Sequence, residues 1–321
     1  MRRLRLAPED TSIPFMSGRR WALGGSLAAA VASLLLVAVL GLNFGIDFRG
    51  GIMIEARTPG AADVRQVRGA VSDLGLGDVA VQEFGRESDV LIRVEAQPGD
   101  GDAQMAAAAE VERALEAEIP GVEIRRVEVV GPKVSGELIW AGALALAAAV
   151  GAILVYIWLR FEWQFSLGAV AALVHDVVLT IGVFSLVRLE FNLSIIAALL
   201  TIIGYSLNDT VVVFDRVREN LRKYKQKPLD EVLNVSINET LGRTLMTSAT
   251  TLIALIALYV LGGEVIRGFT FAMIWGVVVG TYSSVFVAAA VLLRLGVTRE
   301  WSESGDGPGG GAGVQFGGAQ V

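Results

Sequence analysis

The sequence contains no cysteine, and this absence excludes several kinds of chemistry at once. Disulfide bonds, thiol nucleophiles and cysteine-ligated metals are ruled out, so any domain outside the cytoplasm must be stable through its own core. The single histidine, His175, likewise excludes a zinc site built from a histidine cluster. Because no Walker A motif is present, we expect that the chain itself does not hydrolyse ATP, and we expect no metal or cofactor.

Charged residues are also scarce. They make up 19% of the 321 residues, whereas hydrophobic residues make up 53% and the mean hydropathy is +0.57. A soluble core of this size cannot enclose so much apolar surface, so much of the chain must face lipid. The net charge is −6, and the absence of a basic stripe argues against a nucleic-acid partner.

Six apolar runs are long enough to cross a hydrocarbon core of roughly 30 Å, which takes about 20 helical residues. The first run could be a signal peptide, but it is longer than the roughly 7–15 residues of a signal-peptide core, and no small-residue cleavage site follows. We interpret it as an uncleaved anchor. The runs cover residues 21–42, 138–159, 165–187, 192–214, 244–262 and 268–293.

The distribution of basic residues predicts the orientation in the membrane. Arginine and lysine are concentrated in residues 1–20 and 215–243, whereas the short loops on the opposite side hold only Arg188 and Arg267. Because cytoplasmic loops carry an excess of basic residues, we expect both termini and the 215–243 loop to be cytoplasmic. The glycine-rich end of the chain, 294–321, is expected to be a disordered cytoplasmic tail.

The segment 43–137 then lies outside the cytoplasm, and its pattern predicts a folded domain. Some stretches have apolar residues at every second position, as in strands, and others have them every 3.6 residues, as in helices. Their order along the chain is β-α-β-β-α-β, which is typical of a ferredoxin-like α+β domain. It shows no phosphate-binding loop or nucleophile–base pair, which favours a binding or mechanical module over an enzyme. The predicted strands are 51–57, 78–84, 89–95 and 122–130, and the predicted helices are 61–74 and 103–119.

Ionisable residues within the apolar runs are the strongest functional signal. Asp176 follows His175 near the middle of the third run, and Asp209 lies in the fourth. A charge at the bilayer centre costs about 2.5–3.5 kcal/mol, so such residues need a partner or a purpose. Helical spacing predicts a polar stripe around Asp209 that faces the bundle interior. The other members of this stripe are Thr201, Tyr205 and Asn208.

Arg243, at the start of the fifth run, could reach the depth of Asp209 from the same side of the membrane. Beside Arg243 the carboxyl group would stay ionised, and away from Arg243 it would be desolvated and would take up a proton. A helix movement could therefore load and release protons. The alternative is a static ion pair that only holds two helices together.

Four segments together resemble the SecD/SecF family of protein-export membrane proteins, which is related to the RND transporters. They are 44–51, FGIDFRGG; 174–177, VHDV; 204–216, GYSLNDTVVVFDR; and 239–244, ETLGRT. With the six-run layout they cover most of the chain, and the third- and fourth-run motifs are similar to those of the SecF branch. The signature residues of the first segment are Gly45, Asp47, Phe48, Arg49, Gly50 and Gly51.

The resemblance implies a multi-pass protein of the bacterial inner membrane that uses the proton-motive force to assist Sec-dependent preprotein translocation. It implies SecD and the SecYEG translocon as partners, with YajC and YidC as further candidates, and the preprotein as substrate. It also implies proton conduction by Asp209 and Arg243, to which we add Asp176, with His175 in support. Two other interpretations stay open, a scaffold without ion coupling and an RND-type exporter of small solutes, and the coupling ion could be H⁺ or Na⁺.

Overall fold

The computed structural model describes residues 11–99, 101–263 and 265–297, so most of the expected 294–321 tail lies outside the described residues. Within them, six helical spans are long and apolar enough to cross a membrane, as predicted. The last span contains one π-helical turn, Ser284–Ala288. The spans are α1 (Arg19–Leu40), α5 (Pro132–Arg160), α6 (Trp163–Val187), α7 (Leu193–Lys223), α8 (Leu229–Leu261) and α9 (Arg267–Ser283), which α10 (Ala289–Leu295) continues beyond the π turn.

The predicted loop at 215–243 is mostly helical. Helix α7 continues to Lys223 and α8 already begins at Leu229, so only five residues, 224–228, connect them. Hydropathy locates the apolar part of a span, but a helix can continue into water when its polar groups find partners. Here the buried Asn220 side chain donates to Ser236 Oγ at 3.0 Å and to Glu239 Oε2 at 2.7 Å, which joins the two polar helix ends.

The segment between α1 and α5 folds as the predicted β-α-β-β-α-β domain. Its four strands form one antiparallel sheet in the order β3-β4-β2-β5, the ferredoxin-like arrangement. Helices α3 and α4 cover one face, where Ile54, Val67 and Val111 are completely buried. The elements are β2 (Gly51–Arg57), α3 (Val64–Ser72), β3 (Val79–Phe84), β4 (Arg86–Val94), α4 (Gly101–Glu118) and β5 (Glu123–Val130).

A short junction connects this inserted domain to the bundle. Strand β1 (Asn43–Phe44) and helix α2 (Ile46–Arg49) follow the first span. Strand β6 (Glu190–Phe191) lies in the turn between α6 and α7 and pairs with β1 in parallel. The chain entering the domain is therefore hydrogen-bonded to the turn that precedes α7.

The centre of the bundle is formed by α6, α7 and α9, which are far more buried than α1, α5 and α8. Glycines allow α7 and α9 to approach closely, since a Cβ atom at Gly280 would lie only 3.0 Å from Ser206 Cβ, and one at Gly276 would overlap Ile202. The Gly276–Gly280 pair, with its small-xxx-small spacing, therefore marks a helix-packing face. The apolar sides of the outer helices remain exposed to the surrounding lipid or to a partner.

Candidate functional site: two buried carboxylates in the helix bundle

Asp176 is completely buried at the centre of the bundle, where it joins three helices. Its Oδ2 accepts hydrogen bonds from Ser206 Oγ of α7 at 2.6 Å and from Ser283 Oγ of α9 at 2.8 Å. Its Oδ1 lies 2.9 Å from His175 Nδ1, on the same helix. Both carboxylate oxygens therefore have partners, as buried polar groups require.

His175 extends this polar cluster toward α1. Its imidazole lies against the Tyr282 ring, with the ring centroids 6.2 Å apart, and Tyr282 Oη donates to the carbonyl of Ala22 at 3.0 Å. Tyr282 Oη also lies 3.0 Å from Ser26 Oγ. The Nε2 atom of His175 is buried and, among the described residues, has no hydrogen-bond partner. The π-helical turn begins at Ser284, directly after Ser283, and such turns often occur at functional sites.

Asp209, on α7, is also buried, but its surroundings are different. Its Oδ2 atom has no hydrogen-bond partner among the described residues. Two more buried oxygen atoms on the same helix pair lack partners there, Thr210 Oγ1 on α7 and Thr244 Oγ1 on α8. Unsatisfied buried polar groups are few in native proteins, so a group of them on two packed helices marks a candidate site.

Arg243 precedes Thr244 on α8 and is exposed. It is near enough to Asp209 for an electrostatic interaction. However, no ion pair within 4.0 Å joins the two side chains in the described part of the chain. The expected Asp209–Arg243 contact is therefore absent here, although both groups lie on the α7–α8 pair.

The predicted polar stripe does not face the bundle interior along its whole length. Thr201 and Asn208 are exposed, and Tyr205 is half-buried with its hydroxyl 3.5 Å from Thr251 Oγ1. The prediction is therefore wrong for Thr201 and Asn208. Spacing identified the polar positions, but a helix with polar groups on two sides can bury only one side within its own bundle.

The glycines of the 44–51 signature have a clear backbone role. Gly50 and Gly51 have φ angles of +75° and +116°, which L-residues with side chains rarely adopt. A Cβ at Gly50 would lie 3.2 Å from the Val130 carbonyl oxygen, and one at Gly51 would overlap the Val94 carbonyl oxygen. The two glycines thus turn the chain sharply from α2 into β2, one of the two central strands of the sheet.

The other signature residues build the junction. Gly45 packs against Glu190 so closely that any Cβ would collide with it. Asp47 accepts a hydrogen bond from the backbone N–H of Leu193 at 2.7 Å, and Phe48 is buried in the junction. The remaining signature side chain, Arg49, is exposed.

Sequence reasoning did not single out Ser206 and Ser283, which complete the Asp176 cluster. Ser206 lies within the 204–216 motif, and Ser283 is three residues beyond Gly280 on the packing face of α9. The sequence signal available for Ser283 was a small hydroxyl residue on the same helix face as two glycines. Serine is so common on helix faces that only the three-helix contact gives it meaning.

These features define a class of protein, namely polytopic membrane proteins with a ferredoxin-like inserted domain and ionisable groups in the bundle. Residues 110–298 match the family "Protein export membrane protein SecD/SecF, C-terminal", and residues 35–58 match the "SecD/SecF GG Motif". The second match includes β1, α2 and the two glycines with positive φ angles.

Proteins of similar sequence indicate the same family. The chain is 53% identical over 303 residues to the protein translocase subunit SecF of Cereibacter sphaeroides, covering 92% of this chain and 94% of that protein. It is 50% identical to the SecF of Rhodobacter capsulatus, covering 92% and 93%. The chain belongs to the SecF family of protein translocase subunits, and it is therefore a multi-pass inner-membrane protein of the export machinery.

Two solved structures share the fold. The crystal structure of SecDF, a translocon-associated membrane protein from Thermus thermophilus, matches with a TM-score of 0.81 at 35% identity and covers 90% of this chain. A SecDF structure in a super-membrane-facing form matches with a TM-score of 0.67, also at 35% identity, and covers 92% of this chain. The chain spans 39% and 40% of the length of those two SecDF chains.

Proposed function

We propose that this chain is the SecF subunit of a SecDF complex and that it uses the proton-motive force to assist Sec-dependent preprotein translocation. The observation that carries this proposal is the buried Oδ2 of Asp209, which has no hydrogen-bond partner in the described part of the chain and lies on the helix pair that also carries Arg243. A carboxylate in this setting can gain or lose a proton without first breaking a hydrogen bond at that oxygen.

The proposed cycle depends on the distance between two charges. When α7 and α8 bring Arg243 toward Asp209, the ion pair favours the carboxylate, and when they separate, burial favours the neutral acid. Alternating exposure to the two sides of the membrane would then load and release a proton. One proton crossing roughly 150 mV supplies about 3.5 kcal/mol, at about 2.3 kcal/mol per 100 mV. That biases a conformational equilibrium several-hundredfold, because each 1.4 kcal/mol is about tenfold.

Asp176 was expected to conduct protons as well, and that stays a prediction. Its surroundings favour a positioning role, because its oxygens already hold Ser206 and Ser283 from two other helices. In this proposal Asp176 fixes α6, α7 and α9 together, while the α7–α8 pair carries the titrating group.

The exposed polar side chains of α7 and α8 indicate where a partner lies. Thr201, Asn208 and Arg243 would be costly to leave against lipid, so we propose that a SecD chain covers them. The greater length of the related SecDF chains supports such a partner. The SecYEG translocon and the preprotein complete the assembly, with YajC and YidC as further candidates, and we propose that both termini are cytoplasmic, by the distribution of basic residues.

The test is Asp209→Asn, which keeps the shape and polarity of the side chain but removes the titrating group. We expect normal assembly with SecD and loss of the part of preprotein export that depends on the proton gradient. Asp215→Asn is the matched control, since Asp215 is an exposed carboxylate on the same helix and should not matter. Proton uptake into proteoliposomes would be measured in parallel.

A second candidate function is a scaffold that only holds SecD and the translocon together. The Asp176 cluster favours it, because a satisfied polar network that joins three helices needs no ion coupling. The two functions separate in the same experiment. If Asp209→Asn assembles and still supports gradient-dependent export, the ion-coupling proposal fails and the scaffold remains.

A further inference from the structure

We infer that Asp47 couples helix α7 to the inserted domain, so that a movement of the helix bearing Asp209 is transmitted to the domain on the far side of the junction. This inference rests on the proposed function and assigns a positioning role to a signature residue outside the membrane-spanning helices. It is carried by contacts between segments that are distant in sequence.

The first contact is at the start of α7. The Asp47 carboxylate accepts the backbone N–H of Leu193 at 2.7 Å across 146 positions of sequence. The residue in the N-cap position, Asn192, does not cap the helix, because its Oδ1 accepts from Ser194 Oγ at 2.6 Å. Asp47 therefore acts as the capping residue, and its negative charge also favours the positive end of the helix dipole.

The second contact lies just before α7. The Arg93 side chain of β4 forms an ion pair with Glu190 of β6, and both side chains are largely shielded from solvent. The β1–β6 pairing adds a hydrogen bond from the Gly45 N–H to the Phe191 carbonyl at 2.9 Å. One end of α7 is thus held both by the chain entering the domain and by a central strand of the domain's sheet.

Aromatic packing makes this junction stiff. The Phe191 ring lies 6.0 Å from Phe44, 5.9 Å from Phe48 and 6.1 Å from Phe184, measured between centroids. These rings come from β6, the signature segment and α6. A close-packed aromatic cluster transmits a displacement rather than absorbing it.

Helix α7 is suited to carry a movement from the membrane to this junction. Leu193 and Asp209 are 16 residues apart on one continuous helix, which is about 24 Å at 1.5 Å per residue. The chain connects the domain directly to α1 and α5 but not to α7. Any movement of α7 must therefore reach the domain through non-covalent contacts such as that of Asp47.

The domain also has space in which to move. An open cleft of about 490 Å³ separates the sheet from the turn between α8 and α9. Arg57, Arg86 and Asp89 line it on the domain side, and Gly263 and Val265 line it on the bundle side. The domain is thus held at the start of α7 and leaves an open cleft toward the α8–α9 turn, which gives room for rocking about the junction.

The test measures movement and proton uptake separately. Because the chain has no cysteine, Arg86→Cys and Val265→Cys introduce a unique pair of spin labels across the cleft. The labelled chain, with its SecD partner and the translocon in proteoliposomes, would be compared with and without a proton gradient. We expect the gradient to shift the label distance, and Asp47→Ala to reduce the shifted population about fivefold while proton uptake continues.

The expected loss of gradient-dependent export in Asp47→Ala is about fivefold, the population change that loss of one capping hydrogen bond produces. Asp47→Asn keeps an acceptor oxygen and should retain most of the coupling. Asp63→Ala is the matched control, since Asp63 caps α3 within the domain, accepting from Arg65 N at 2.9 Å, and lies outside the junction. It should change neither the shift nor export.

The outcomes separate the inference from the proposed function. If the unsubstituted chain shows the shift and Asp47→Ala shows it equally, Asp47 does not couple the two parts and only the inference fails. If Asp209→Asn exports normally and no chain shows a shift, the proposed function fails and the inference with it. If Asp209→Asn loses export but no chain shows a shift, the domain is not the moving part and the inference is again overturned.

Discussion

The bundle buries two aspartates, and their surroundings are opposite. Asp176 lies where α6, α7 and α9 meet, with hydrogen bonds from two serine hydroxyls and a neighbouring histidine. Asp209 lies on the α7–α8 pair, and its Oδ2 has no hydrogen-bond partner within residues 11–99, 101–263 and 265–297. Both residues interrupt an apolar run, so their sequence environments look alike, yet one is built into a closed network and the other is not.

The difference supports the proposal that Asp176 positions the helices while Asp209 carries the proton. A buried carboxylate with every oxygen hydrogen-bonded loses those bonds when it changes its charge or position. A carboxylate oxygen without a hydrogen bond has no such bond to break. Unsatisfied buried polar groups are few in native proteins, and each calls for an explanation such as a catalytic role or a bound water. The comparison therefore predicts that removing Asp176 mainly lowers the stability of the fold, whereas removing Asp209 mainly lowers gradient-dependent export.

The largest effect on stability should come from Asp176→Ala. It removes about three hydrogen bonds and leaves Ser206 without an acceptor, whereas Ser283 Oγ keeps its 3.2 Å hydrogen bond to the Gly280 carbonyl. The cost should be about 3 kcal/mol, at roughly 1 kcal/mol per bond. Asp209→Ala should cost less than about 1 kcal/mol, because no hydrogen bond at Oδ2 is lost. Denaturant titration of the purified chains in detergent measures both values. An equal loss in the two variants would refute the distinction between the acids.

Much of the fold could be predicted from the sequence, for identifiable reasons. The six spans follow from hydropathy, and the inserted domain follows from the alternation of strand-like and helix-like apolar patterns. The polar extensions of α7 and α8 were missed, because the Asn220 contacts that support them join residues 16 and 19 positions apart. Local patterns do not contain such pairings.

The candidate site was only half predictable for the same reason. A charge in an apolar run identifies Asp176 and Asp209 as unusual, but not their partners. Whether Ser283 reaches Asp176 depends on how closely α9 packs against α7, and the exposure of Asn208 depends on which helices are absent from that side. Both are properties of three-dimensional packing.

The next largest effect on stability concerns the close packing of α9 against α7. Gly276→Ala would place a methyl group into Ile202 and push α9 away from α7, which should cost about 1–3 kcal/mol, as overpacking does. Gly268→Ala is the control on the same helix, since its Cβ would lie 3.7 Å from Ile195 Cδ1, an ordinary contact. Thermal unfolding in detergent compares them. Equal stabilities would mean that the close α7–α9 approach is not required.

A smaller effect tests whether the Asp176 cluster acts as a unit. Ser206→Ala and Ser283→Ala each remove one hydrogen bond and should each cost about 1 kcal/mol. Because both hydroxyls bind the same carboxylate oxygen, the double variant should depart from the sum of the two single variants. A double-mutant cycle by denaturant titration measures the coupling. Simple additivity would show that the two serines act independently.

The smallest effects repeat the contrast outside the membrane, at one ion pair within the inserted domain and one between this domain and the junction. Arg57 donates to both oxygens of Asp89, at 2.7 and 2.9 Å, and these hydrogen bonds lower the Asp89 pKa from 3.8 to about 2. Burial raises the Glu190 pKa above 4.5, and the attraction of Arg93 only partly offsets it. The charged form of Asp89 is therefore favoured by its arginine partner, whereas the charged form of Glu190 is disfavoured by burial despite its partner.

Opposite pH dependences follow from these shifts. The pKa of Asp89 is lower in the folded protein, so its contribution to stability is present above pH 3.8 and is lost as the pH falls toward 2. The pKa of Glu190 is higher in the folded protein, so its contribution is present below pH 4.5 and is lost as the pH rises through the raised value. Asp47 and Glu128 repel the Glu190 charge and act in the same direction as burial.

Melting curves of the full chain by circular dichroism between pH 2 and pH 7 would resolve the two contributions. Asp89→Asn should remove the loss of stability at the acidic end, and Glu190→Gln should remove the loss on the neutral side. The same slope in both variants would contradict the assignment. Glu190 lies in the junction before α7 and pairs with Arg93 of the inserted domain. Its charge state therefore affects how firmly the domain is held, and the stability of the junction should depend on the pH outside the bundle.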